Sequence, residues 1–158
     1  MTKTHTPRSV LSILALLALT GCGPSFQEDF NINAAIPVPQ GSITGAWIGA
    51  WHDVDGQHFG ELQALVSQIS DTEYQVRYRA IYRWLFLDTP FEITVTLRGE
   101  QVGGTFHFEG SEDLGFPYGM YDYSGYATDS LFFSTYEAGD SKGDYQLRRV
   151  SDNYSPSE

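Results

Sequence analysis

The chain has 158 residues, with 20 Asp and Glu against 9 Lys and Arg, a formal net charge of −11. That length suits one domain with at most a tail. The acidity excludes a nucleic-acid partner and electrostatic adhesion to anionic lipid, both of which need clustered Lys and Arg, and a single cysteine, Cys22, excludes an internal disulfide.

Residues 1–21 have the layout of an export signal. Lys3 and Arg8 come first with no acid among them, the apolar run Leu11–Thr20 follows, and the small residue Gly21 closes it. The run is too short to span a bilayer, which takes about 20 apolar residues. Removing this segment takes two of the nine bases and none of the acids, leaving seven against twenty, a net charge of −13. Leu19-Thr20-Gly21-Cys22 then resembles a bacterial lipobox. The resemblance implies diacylglycerol on the Cys22 thiol, cleavage before Cys22 and, usually, acylation of the new amino group. Two or three acyl chains give stable anchoring where one gives only marginal binding. Because Gly23 and not Asp follows Cys22, the resemblance implies the outer membrane in a double-membraned bacterium. Read this way, the protein is anchored in the cell envelope, and the membrane is its first partner.

Residues 22–42 hold Pro24, Pro37 and Pro39 and show no sustained period. They are expected to form a flexible tether, with a root-mean-square span on the order of 25 Å for twenty residues. Phe26, Phe30 and Ile32 are the candidates for a short segment that docks on the domain instead.

From residue 43 to residue 150 the dominant signal is period two. In "EYQVRYRAIYRW", Tyr74, Val76, Tyr78, Ala80, Tyr82 and Trp84 share one face, and Gln75, Arg77, Arg79 and Arg83 share the other. "ITGAWIGAW", "HFGELQALVSQI", "FEITVTLR", "GTFHFE", "MYDYSGYA", "LFFSTYE" and "DYQLRRV" complete eight strands. Turn signals separate them at 53–56, 70–73, 87–90, 99–104, 127–130 and 139–144, and a longer connection spans 110–119. No window of eleven residues has a helical period. The reading is all-β: an eight-stranded antiparallel up-and-down barrel, which removes exposed edges and just encloses its own side chains or one small ligand. Residues 151–158 are left as a C-terminal tail.

Gly45-Ala46-Trp47 in the first strand resembles the Gly-x-Trp of the lipocalin and avidin-like barrels, the calycins. The resemblance implies a Trp packed at a closed barrel end beneath an Arg from a late strand. Arg148 or Arg149 stands where that Arg would come, and Trp47 is then structural. The second lipocalin motif, its disulfide cysteines and the biotin-binding set of the avidins are absent, so biotin binding does not carry over.

The chain shows no catalytic constellation. There is no Gly-x-Ser-x-Gly elbow. Asp53-Val54-Asp55-Gly56 between His52 and His58 reads as a turn, since a calcium loop needs further ligands. His107 alternates with Phe106 and Phe108 and so faces solvent, and Glu109, Glu112 and Asp113 read as solvated loop acids. Neither an enzyme, a metal site nor a cofactor is expected. Ten Tyr, ten Phe and three Trp remain. If Trp51, Tyr78, Tyr82, Trp84, Tyr121 and Tyr123 point inward, they leave room for a small apolar or aromatic ligand at most, with hydroxyls to orient it. The expected function is non-enzymatic binding of such a ligand. The alternative is an envelope structural or protein-interaction lipoprotein with a filled barrel.

Overall fold

The computed structural model describes residues 25–54, 59–84, 87–116, 119–139 and 141–150, with the backbone alone at 82–84 and 87–89. The export signal, Cys22, His58 and the tail from 151 to 158 lie outside the described residues. One helix, α1 (Phe26–Ala34), precedes eight strands: β1 (Gly45–Asp53), β2 (Phe59–Gln68), β3 (Glu73–Trp84), β4 (Leu87–Val102), β5 (Thr105–Asp113), β6 (Met120–Ala127), β7 (Leu131–Ala138) and β8 (Ser141–Arg149). Each strand pairs antiparallel with the next, and β8 returns to pair with β1, so the sheet closes as the eight-stranded up-and-down barrel that the alternation predicts.

Alternation decides the core. Trp47, Leu62, Ala64, Val76, Tyr78, Val95, Leu97, Phe106, Phe108, Phe132 and Leu147 are buried in one cluster inside the barrel. Their rings interlock, with Trp47 and Phe132 at 5.8 Å, Phe108 and Phe132 at 5.2 Å, and Tyr74 and Phe106 at 4.8 Å between centroids. Such offset and edge contacts add to the hydrophobic term. His107 lies outside and exposed, as its phase predicts.

Four turn signals shift, the one at 139–144 because β8 already begins at Ser141. The predicted turn at 87–90 lies inside β4, which pairs with β3 from Glu73–Arg98 to Trp84–Leu87. The reason is visible at Pro90. The β4–β5 ladder runs only from Arg98–Glu109 to Val102–Thr105, so the first part of β4 has no partner on its β5 side among the described residues. The Gly99 amide bonds to Thr72 on the β3 side, and the Thr96 carbonyl accepts from the Tyr123 hydroxyl on the other. Pro90 is in phase with Thr96, so its missing N–H faces the unpaired edge and costs no ladder bond. The 99–104 signal shrinks to Gly103-Gly104, whose φ values of 57° and 86° are those of a two-residue primed hairpin turn. The 110–119 connection shrinks to 114–119, because β5 runs on to Asp113.

The largest departure from expectation is α1. The segment expected to be part of the tether is here a helix packed on the outer wall of the barrel. Ser25 caps it by accepting from the Glu28 amide at 3.2 Å, and Glu28 and Asp29 favour its first turn. Phe26 and Phe30, four apart, fall on one face and are 3% and 0% exposed. With Ala46, Leu65 and Val150 they form a second, smaller core outside the barrel. Arg77 donates to Asp29 at 2.5 Å and lies 5.4 Å from the Phe26 ring, while Arg79 donates to Gln27 at 2.6 Å. Ile32, the third docking candidate, is exposed.

Candidate functional site at the tyrosine end

The two ends of the barrel are built differently. At the end where β1 begins and β8 finishes, Trp47 is fully buried and its indole N–H donates to the Ile43 carbonyl at 3.0 Å. The Arg149 guanidinium lies 4.3 Å from the indole centroid, a cation–π contact. It also donates to the carbonyls of Thr44 at 2.6 Å, Ser42 at 2.5 Å and Asp129 at 2.6 Å. Burial lowers the Arg149 pKa, with Asp129 opposing the shift. Of the two candidate arginines, Arg149 therefore closes this end, and Arg148 points to solvent.

At the opposite end the interior is lined by tyrosines. Tyr78, Tyr121 and Tyr123 are buried, as is Tyr145. The hydroxyls of Tyr121 and Tyr145 hydrogen-bond to each other. Tyr136 stacks on both, at 5.6 and 5.0 Å, and Tyr78 lies 5.3 Å from Tyr145. Tyr123 lies 5.7 Å from Tyr121 and donates to the Thr96 carbonyl at 2.5 Å, which satisfies an acceptor on the edge that β5 leaves unpaired. It reaches there by crossing Gly110, where a Cβ would lie 2.3 Å from the Tyr123 hydroxyl oxygen. Trp51 is half-buried, packed against the core with its indole over Gly60. The side chains of Tyr82 and Trp84 lie outside the described residues. The structure thus brings Tyr78, Tyr121 and Tyr123 of the predicted set into contact with one another through their neighbours.

Sequence reasoning left out Tyr136 and Tyr145. The signal was present, since Tyr136 is in phase with Phe132 and Ser134, and Tyr145 with Leu147.

The chemistry of this cluster follows from burial. Burial raises the Tyr78, Tyr121 and Tyr145 hydroxyls well above their ordinary range. Burial and Glu112 push Tyr123 up to about 12, with Arg98 opposing. All four are neutral at physiological pH and serve as hydrogen-bonding groups, not bases. In the Tyr121–Tyr145 pair one hydroxyl donates to the other, so the accepting hydroxyl keeps a proton to give. Tyr78 packs its ring against Phe132 and Tyr145, at 6.5 and 5.3 Å between centroids. The end therefore offers aromatic faces and the donor that the Tyr121–Tyr145 pair retains.

A concave feature of about 770 Å³ lies along β5–β8. Glu109, Asp122, Glu137, Asp144 and Lys142 line it, with Ser124, Thr135 and the edges of Tyr123 and Tyr136. Lys142 pairs with Glu137 at 2.6 Å, and His52 with Asp144 at 3.2 Å. Asp113 accepts from the Gly115 amide at 2.9 Å and so holds the 114–119 turn. Among the described residues no cluster of His, Asp or Glu is arranged to hold a metal ion.

The fold defines an all-β protein of the eight-stranded up-and-down class. Comparison with family models, with curated protein sequences and with solved structures returns no match.

Proposed function

We propose that this chain is a lipid-anchored protein of the bacterial cell envelope whose barrel binds a small apolar or aromatic compound at its tyrosine end, without catalysis. The observation that carries the binding reading is the asymmetry of the barrel. One end is closed by Trp47 and Arg149, and the other gathers neutral aromatic donors inside a rim of exposed apolar side chains. A ligand with an aromatic or aliphatic body and one or two acceptors matches that surface. The lipobox at Leu19–Cys22 carries the anchoring. Gly23 supports sorting to the outer membrane.

Native mass spectrometry of the mature chain and its tryptophan emission across a lipophile panel test the binding. A bound species whose affinity falls at least tenfold in Tyr78→Phe and Tyr121→Phe is the expected result. A clean apo mass with no emission change across the panel refutes it. For anchoring, Cys22→Ser leaves the barrel folded and moves it to the soluble fraction. An acyl-free chain that still sediments with membranes refutes that reading.

The acidic outer groove favours a second reading, an envelope protein that docks a partner on β5–β8. Photocrosslinking in cells from Ser124 and Thr135 tests it, and failure to capture any partner protein counts against it.

A further inference from the structure

We infer that the tyrosine end of the barrel rests on a zwitterionic lipid surface, with Val54, Phe59, Phe116 and Met120 entering the headgroup region. Two independent observations meet here. The first is the rim itself. Val54 and Phe59 are each 73% exposed, Met120 54%, and Phe116 fully so. They belong to the β1–β2 and β5–β6 connections, which an up-and-down barrel brings to one end. A soluble surface exposes large apolar residues singly. At the closed end only Ile69 and Val102 are comparably placed among the described residues, at 54% and 55% exposure, so the two aromatic tips and the greater exposure of Val54, Phe59 and Phe116 set the tyrosine end apart as the docking surface.

The second observation is the direction and length of the chain that leads to Cys22. Gln27 is bonded to Arg79, and Asp29 to Arg77, two residues nearer the closed end along β3. The chain then reaches the closed end at Ile43 beneath Trp47. The α1 N-terminus therefore points toward the tyrosine end. Only Gly23 and Pro24 separate Cys22 from Ser25, the helix cap, a reach of at most about 10 Å over three fully extended Cα–Cα steps. The expected twenty-residue tether is used up by docking. A lipid on Cys22 would hold the barrel against the membrane with the tyrosine end toward it. This half of the inference rests on the anchoring reading; the rim does not.

The charge selects the lipid. With a net charge of −13 for the chain after residue 21, an anionic surface repels the protein, while a neutral headgroup layer accepts apolar and aromatic tips at little electrostatic cost. Among the described residues no helix is long and apolar enough to cross a membrane, and contact at the surface requires none.

Single cysteines placed at exposed sites test this directly, because lipid occupies the one native thiol. Phe116→Cys and Met120→Cys report the tyrosine end, and Ile69→Cys and Val102→Cys the closed end. Each lipidated mature chain, labelled with a polarity-sensitive fluorophore, is reconstituted on phosphatidylcholine vesicles. The expected result is at least twofold higher, blue-shifted emission at 116 and 120, quenched by acyl-chain spin labels, with 69 and 102 unchanged. Aqueous emission at all four sites, or quenching confined to 69 and 102, overturns the inference. Intact mass of the same samples reports acylation of Cys22, so a missing anchor reads separately from a wrong orientation. The same four sites in the Cys22→Ser chain, added to vesicles, isolate the rim. The pattern persists there at lower occupancy and weakens further with phosphatidylglycerol, whereas aqueous emission at 116 and 120 at saturating lipid rejects the rim as a membrane surface.

Discussion

Phe30 is fully buried, yet it belongs to the small core between α1 and the outer wall and not to the barrel interior. A nine-residue helix is too short to persist alone in water, so α1 exists because Phe26 and Phe30 are covered and because Arg77 and Arg79 grip Asp29 and Gln27. Phe30→Ala removes one of the two apolar anchors. Phe→Ala in a packed site costs about 3–5 kcal/mol. Taking the lower figure, since one face of this site can relax toward solvent, about 3 kcal/mol corresponds to roughly a hundredfold shift in the docking equilibrium. The loss is local, because the β1–β8 ladders do not run through the helix. Hydrogen exchange read by mass spectrometry should show the peptide over 26–34 losing about two decades of protection, while β3 and β7 keep theirs and the thermal midpoint moves by less than a few degrees. Equal loss of protection in helix and strands would refute the reasoning, for it would make α1 part of the barrel's own cooperative unit.

The closed end discriminates between neighbouring arginines. Arg149→Met removes three charged hydrogen bonds and the indole contact and should cost about 3 kcal/mol, a fall of roughly 6–12 °C in the thermal midpoint. Arg148→Met should stay within about 0.5 kcal/mol by the same melting assay. Gly110→Ala drives a methyl into the Tyr123 ring and should cost about 1–3 kcal/mol in urea unfolding, a penalty that largely vanishes when Tyr123→Ala is present. Alkaline pH should destabilise the fold. Below pH 10 folded and unfolded tyrosines are alike protonated. Above it the unfolded chain releases protons that Tyr78, Tyr121, Tyr123 and Tyr145 retain, so stability falls with rising pH. Urea midpoints from pH 9 to 11.5, with tyrosinate absorbance, measure it; Tyr123→Phe should flatten the slope between 10 and 12.

The barrel was legible because a half-buried strand writes its two faces into alternate residues, and eight segments from Gly45 to Arg149 do so plainly. The Trp47–Arg149 closure was legible through its sequence resemblance, though the choice between Arg148 and Arg149 needed the phase of β8 against β1. The helix was harder to see. Its nine residues fall below the window in which a helical period stands out, and the prolines around it look like a linker. The signal that marks it is Ser25 followed by Glu28 at the third position, a capping-box spacing, with Phe26 and Phe30 one turn apart. The inset Pro90 misled in the same way: proline reads as a turn until the partner on one side of the strand is known to be missing. Of the candidate site, the strand phases gave Tyr78, Tyr121 and Tyr123, but the pairing of Tyr121 with Tyr145 depends on strands far apart in sequence.

That separation also sets the order of assembly. Hairpins from β1–β2 through β6–β7 join neighbours and can form as the chain emerges N-terminus first. The final ladder cannot: Arg149 grips the carbonyls of Thr44 and Ser42, 105 and 107 residues away along the chain. Until those last residues are available, both β1 and β7 are bare edges on a long curled sheet. A chain cut short before β8 is therefore not a slightly smaller barrel but an open sheet with two sticky margins, and the arrival of β8 decides whether the sheet closes.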